Sequence, residues 1–146
     1  MGAKELLEQI KNLDYKIKLL TERIEELERM LQPGIEYNKI GGAPRDSYHP
    51  DTRVNIIYKL SDTKEDLIER RAELFTIKSQ LTKAISLMDN RVHMEILVRR
   101  YFYNQQWSEI AKEMKYNIRW CFRLHEQAIA ELDKILNKPP TSHMDR

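Results

Sequence analysis

The chain has 146 residues, of which 33% are charged and 41% hydrophobic, with a formal net charge of +2 at pH 7. Such a composition is typical of a folded, helix-rich protein and argues against disorder along the whole chain. The single cysteine excludes an internal disulfide and fits a reducing cytoplasm, no stretch is apolar enough to predict a membrane span, and the small net charge does not by itself indicate a nucleic-acid partner.

An apolar heptad pattern opens the chain. Leucine and isoleucine recur at alternating spacings of four and three, at Leu6, Ile10, Leu13, Ile17, Leu20, Ile24, Leu27 and Leu31. This spacing predicts the a/d seam of a coiled coil, with the charged residues between these positions in water. Because a helix with one apolar stripe is not stable alone, it requires a partner helix.

A loop and a second long helix follow. Gln32-Pro33-Gly34 predicts the end of the first helix, and the glycines and prolines after it predict a loop over residues 33–52. The second helix is expected from Asp51 or Thr52 to about Asp89. Its heptad positions are Leu60, Leu67, Leu74, Leu81 and Met88, flanked by Ile57, Ile68, Phe75, Ile77 and Ile85. The matching lengths predict an antiparallel coiled-coil hairpin over residues 1–89, and self-association of the N-terminal helices into a homo-oligomer is the alternative.

Residues 90–137 predict three short helices. The first runs from Arg91 to about Tyr103, and the second spans Trp107 to Met114. Lys115-Tyr116-Asn117 forms a turn, and Asn117 caps a third helix that ends near Asn137. Pro139 and Pro140 stop this helix, so residues 138–146 are expected to be a flexible tail.

The spacing within 107–125 fits a helix-turn-helix. Two crossing helices need a small residue at their contact and apolar anchors around it. Those roles fall on Ile110, Ala111, Met114, Tyr116, Cys121 and Leu124. Lys115 stands where glycine is usual, and a left-handed backbone there costs about 1 kcal/mol. A plain helical bundle, in which these residues are only core, is the competing interpretation.

The local charge and the outward face of the last helix favour a DNA-binding function. Residues 91–125 hold seven basic side chains against three acidic ones. With Cys121 and Leu124 inward, base-reading side chains are expected at Asn117, Arg119, Trp120, Arg123 and Gln127, and phosphate-binding ones at Lys112, Lys115, Arg99 and Arg100.

The segment "RRYFYNQQWSEIAKEMKYNIRWCFRLHEQAIAEL" resembles the region-4 helix-turn-helix of bacterial sigma factors, and more closely that of phage late-gene transcription regulators of the RinA and ArpU type. The segments "LDYKIKLLTERIEELERML" and "LSDTKEDLIERRAELFTIKSQL" resemble the N-terminal half of that family. This resemblance implies a sequence-specific double-stranded DNA binder of phage or prophage origin that regulates transcription in the bacterial cytoplasm. It also implies contact with RNA polymerase, and places recognition on Asn117, Arg119, Trp120 and Arg123.

Two other classes of protein stay open. A phage small terminase subunit also joins a helix-turn-helix to oligomerising helices, and a coiled-coil adaptor would need no DNA contact. An enzyme is not expected, because no phosphate-binding glycine loop, HExxH motif or nucleophile with a base is present. No cofactor or metal is expected either, since Cys121 and His125 lack further ligands at zinc spacing.

Overall fold

The computed structural model describes residues 2–32 and 50–137, and every regular element in these residues is helical. The prediction of an all-α chain is therefore confirmed for the described residues. The helices are α1 (Ala3–Met30), α2 (Pro50–Ser86), α3 (Arg91–Leu97), α4 (Trp107–Met114) and α5 (Ile118–Leu136), with a π-helical stretch at Val98–Phe102 directly after α3. None of these described helices carries an apolar segment that could cross a membrane.

The predicted helix bounds agree with the structure to within a few residues. α1 ends at Met30, two residues before the predicted stop, and α2 begins at Pro50, where proline is well placed because a first-turn N–H needs no helical partner. Residues 33–49 of the predicted loop and the predicted tail 138–146 lie outside the described residues.

The chain divides into two compact units, one formed by residues 13–74 and the other by the described residues up to 12 together with those from 75 onward. The division cuts both long helices, so it does not coincide with the predicted boundary at residues 89 and 90. The first turn of α1 is hydrogen-bonded to the last helix: the backbone N–H of Ala3 donates to Oδ1 of Asp133 in α5 at 2.9 Å.

Within residues 13–74, α1 and α2 are neighbours. Nζ of Lys64 lies 3.4 Å from Oε2 of Glu28, and both side chains are about half exposed. The buried apolar residues of this unit are Leu13, Ile24, Leu27, Ile56 and Leu67. Four of them are heptad positions, so the periodicity identified most of this core, while the antiparallel coiled coil itself stays a prediction.

Of the five flanking apolar residues of α2, Ile85 is buried and Ile77 half-buried, but the other three differ from expectation. Ile57, Ile68 and Phe75 are exposed, whereas Ile56 is buried instead. With about 100° of rotation per residue, Ile57 and Ile68 point well away from Ile56 and Leu67. α2 therefore carries apolar side chains on two sides, and only one of them is covered within the described residues.

In the other unit, α3 and α4 both pack against α5. Its fully buried large side chains include Ile96, Leu97, Ile110, Cys121 and Leu132. Asn90 is the N-cap of α3, and its Oδ1 accepts from the backbone N–H groups of Val92 at 2.9 Å and His93 at 3.1 Å. This core holds α5 from one side and leaves its opposite side open.

Candidate nucleic-acid interface

The turn between α4 and α5 has the predicted left-handed residue. Lys115 adopts φ 63° and ψ 40°. The backbone N–H of Tyr116 donates to the carbonyl oxygen of Ala111 at 3.0 Å, and that of Lys115 to the carbonyl oxygen of Lys112 at 3.3 Å. A left-handed residue with such a backward bond is the usual glycine-type helix stop, here built on lysine. It ends α4 abruptly enough for α5 to start three residues later.

Four of the six residues predicted for the crossing core are buried. Ile110, Ala111, Cys121 and Leu124 are all buried, which places the small Ala111 in the packed side of α4. Met114 is half-buried, while Tyr116 is 38% exposed and closes the turn less completely than predicted. The turn is therefore held mainly by its backbone hydrogen bonds.

Asn117 caps α5 as predicted. Its Oδ1 accepts from the backbone N–H of Trp120 at 2.7 Å, which satisfies one of the otherwise unpaired donors of the first turn. Reading adenine with an asparagine requires both its oxygen and its NH2 group. Because the cap occupies the oxygen, Asn117 in this conformation positions the helix rather than reading a base bidentately.

The exposed part of α5 carries both basic and apolar side chains. Cys121, Leu124, Ala128 and Leu132 form the buried stripe. Arg119 and Arg123 are exposed, one turn apart, on the other side. Beside them, on one flank of the helix, lie Ile118, 42% exposed, and Phe122, 44% exposed.

Ile118 and Phe122 were not among the predicted site residues. A helical projection of the sequence contains the signal for both, because they follow one another at a spacing of four on the side away from Leu124 and Ala128. The structure shows that α5 buries one stripe only, and this stripe excludes both of them.

Trp107, the first residue of α4, orders the neighbourhood of this face. Its ring meets the edge of Phe122 with centroids 5.1 Å apart, and the guanidinium of Arg100 lies 4.8 Å from its ring centroid. Nη1 of Arg100 also donates to the carbonyl oxygen of Gln105 at 3.1 Å. Phe122 is thus held in place on one side while open on the other, and Arg100 is fixed by the fold.

Arg99 does not present a free charge. Its Nε donates to Oε2 of Glu95 at 2.9 Å, and its Nη1 contacts Oε1 of Glu113, so the pair links the end of α3 to α4. Hydrogen bonds from Gln105 and Arg99 lower the pKa of Glu113, which keeps this carboxylate charged. The sequence predicted a phosphate contact for Arg99, but its charge is already matched by two carboxylates.

The π-helical stretch helps to set the direction of these arginines. The backbone N–H of Tyr103 donates to the carbonyl oxygen of Val98 at 2.9 Å, five residues back. A continuous α-helix to Tyr103 was predicted, and the wider turn rotates the residues that follow it relative to that expectation. Arg99 and Arg100 lie within this turn, with Arg99 beside Glu113 and Arg100 over Trp107.

His125 is a neutral packing residue. Its Nε2 lies 2.7 Å from the hydroxyl oxygen of Tyr101, and its ring meets Trp107 edge-on at 4.9 Å. Burial, with the nearby charges of Arg100 and Lys4, lowers the pKa of His125 to about 4. Cys121 is fully buried, and burial raises the pKa of its thiol. Within residues 2–32 and 50–137 no three potential metal ligands come together.

The remaining predicted contacts are placed as follows. Lys112 and Lys115 are exposed near the turn. Trp120 is exposed on the flank of α5, and Gln127 lies on the same flank two turns later. Oε1 of Gln127 is 3.3 Å from Nε2 of His93, so this amide is tied to α3 and stands apart from Arg119 and Arg123.

We call the exposed side of α5 the recognition face. It consists of Ile118, Arg119, Phe122 and Arg123, with Lys112 and Lys115 beside it.

Comparisons with protein-family models, with curated proteins and with solved structures each found no match to this chain.

Proposed function

We propose that this protein binds double-stranded DNA sequence-specifically, with the recognition face of α5 in the major groove. The single observation that carries the proposal is the position of Arg119 and Arg123, exposed one turn apart on the side of α5 opposite its buried stripe. An arginine is the commonest reader of guanine, through O6 and N7 in the major groove.

The rest of the face suits the same partner. Lys112 and Lys115 lie at the end of α4, where a first helix crosses the sugar-phosphate backbone in helix-turn-helix complexes. Ile118 and Phe122 supply apolar surface of the kind that contacts the 5-methyl group of thymine. A face meant only for water would gain nothing from two exposed apolar side chains beside two arginines.

Transcription regulation in a phage or prophage is the biological role that we propose for this binding, on the resemblance of residues 99–132 to sigma-like regulators. The long helices α1 and α2 then serve as the predicted hairpin, either pairing copies of the chain or docking RNA polymerase. A small terminase subunit would use the same face on packaging sites.

The test is selection of duplexes from a random pool by the wild-type protein, with the molar mass measured on the same sample. Enrichment of one motif is expected. The Arg119→Ala/Arg123→Ala double variant should lose the enrichment, whereas the control Arg29→Ala, which removes an exposed arginine of α1, should keep it. A ring-sized oligomer bound to its motif would favour the terminase role, and equal enrichment by all three proteins would refute the assignment of the face.

A further inference from the structure

The exposed side of α2 carries an apolar stripe that nothing in the described residues covers. Val54 is 45% exposed, Ile57 48% and Ile68 66%. With about 100° per residue, these side chains lie in one stripe roughly 60° wide, together with the small Ser61 between them and the small Ala72 one turn after Ile68. Exposed apolar residues repeated along one line of a helix indicate a binding surface.

Charge differs between the two edges of this stripe. Glu65 and Glu69 lie along one edge, and Lys64 and Arg71 along the other, all of them exposed. Lys64 already faces Glu28 of α1. Glu69 and Arg71 form no ion pair with another residue in the described part of the chain.

We propose that the stripe binds the same stripe of a second copy, with the two α2 helices parallel and in register. A two-fold axis parallel to the helices brings the acidic edge of one copy against the basic edge of the other, so that Glu69 faces Arg71 of the second copy. An antiparallel pair would instead place acidic edge on acidic edge and basic edge on basic edge. The charge pattern therefore selects both the partner and its direction.

The small side chains support close approach. Ser61 and Ala72 sit on the stripe without a bulky group, so two helix backbones can come near while Ile57 and Ile68 pack against their own counterparts. The dimer does not depend on DNA binding. It would add to the proposed function, because a dimer carries two recognition faces and reads two half-sites.

Cysteine crosslinking in the full chain without DNA tests the proposal. In a parallel, in-register pair, Ile57→Cys and Ile68→Cys should each form a disulfide with the same position of the second copy. In an antiparallel pair a residue meets the same residue of the second copy only near the two-fold axis. Ile57 and Ile68 lie about 16 Å apart along the helix and a disulfide needs Cα atoms within about 7 Å, so at most one of the two positions can crosslink. Two controls should not crosslink. One is the wild-type chain, whose Cys121 is fully buried, and the other is Tyr15→Cys, at an exposed position of α1.

Charge reversal supplies an independent readout by sedimentation. Arg71→Glu should weaken the dimer about tenfold, since attraction becomes repulsion at two symmetric places. Mixing the Arg71→Glu protein with Glu69→Arg protein should recover a heterodimer. A monomeric mass with no crosslink at either position, crosslinking at one position only, or a mass above two copies would overturn the proposal.

Discussion

Replacing Lys115 with glycine should leave the fold as stable as the wild type or make it more stable. Lys115 adopts φ 63°, a left-handed conformation that costs a residue with a Cβ atom about 1 to 2 kcal/mol and costs glycine little. Glycine also makes the unfolded chain more flexible, which takes back about 0.4 to 1 kcal/mol. The expected net change is a gain of roughly 0 to 1.5 kcal/mol in the free energy of unfolding.

Lys112→Gly is the matched control. Lys112 lies three residues earlier, in the last turn of α4, and is also exposed, but it has ordinary helical geometry. Glycine there should cost about 0.5 to 1 kcal/mol, so Lys115→Gly should be more stable than Lys112→Gly by roughly 0.5 to 2.5 kcal/mol. Urea unfolding followed by circular dichroism measures both. Equal destabilisation by the two substitutions would refute a glycine-type helix stop at Lys115, and with it the helix-turn-helix geometry.

Three further outcomes follow from the recognition face and the packing beneath it. Arg123→Ala should cost about 1 to 3 kcal/mol on the selected duplex and relax the base preference at one position, whereas Lys112→Ala should weaken binding to all duplexes alike and reduce the salt slope by about one; fluorescence anisotropy titrations at several salt concentrations distinguish the two patterns. Replacing thymine by uracil in the selected duplex removes only a methyl group, and it should weaken DNA binding by the wild type but not by Phe122→Ala. An equal loss of affinity for both proteins would show that Phe122 does not contact the thymine methyl group. The pKa of His125 is about 4 in the folded chain and 6.5 ordinarily. As the pH falls, the unfolded chain therefore takes up this proton before the folded chain does. The contribution of neutral His125 to the free energy of unfolding is fully present above about pH 6.5 and is lost as the pH drops towards 4. Urea unfolding across this range should show a shallower fall for His125→Gln, and parallel curves for the two proteins would contradict the assignment.

The described helices were largely predictable because periodicity and end signals are local. Asn117 has the side chain of a helix cap, and Leu27 and Leu81 keep the heptad spacing, so their roles follow from neighbouring residues. Lys115 stands at the turn position where glycine is usual, and its backbone is left-handed there. These features depend on physics that acts over a few residues.

What sequence could not supply was the pairing of side chains that are distant along the chain. Arg99 appears as available as Arg123 in the sequence, but the π-helical turn brings it to Glu113 on another helix. Phe122 lies outside the buried stripe in a helical projection, but its ring contact with Trp107, 15 residues earlier, is visible only in the structure. The choice between exposed and satisfied charges therefore required the packing of α3, α4 and α5.

The central claim is that the recognition face enters the major groove, and methylation interference on the selected duplex tests it most directly. Methyl groups on guanine N7 lie in the major groove, where arginine reads that atom, and methyl groups on adenine N3 lie in the minor groove. Interference by methylated guanines is expected for the wild type, with one of these positions losing its effect in Arg123→Ala. Interference confined to adenines, or a guanine pattern that Arg123→Ala leaves unchanged, would contradict the account.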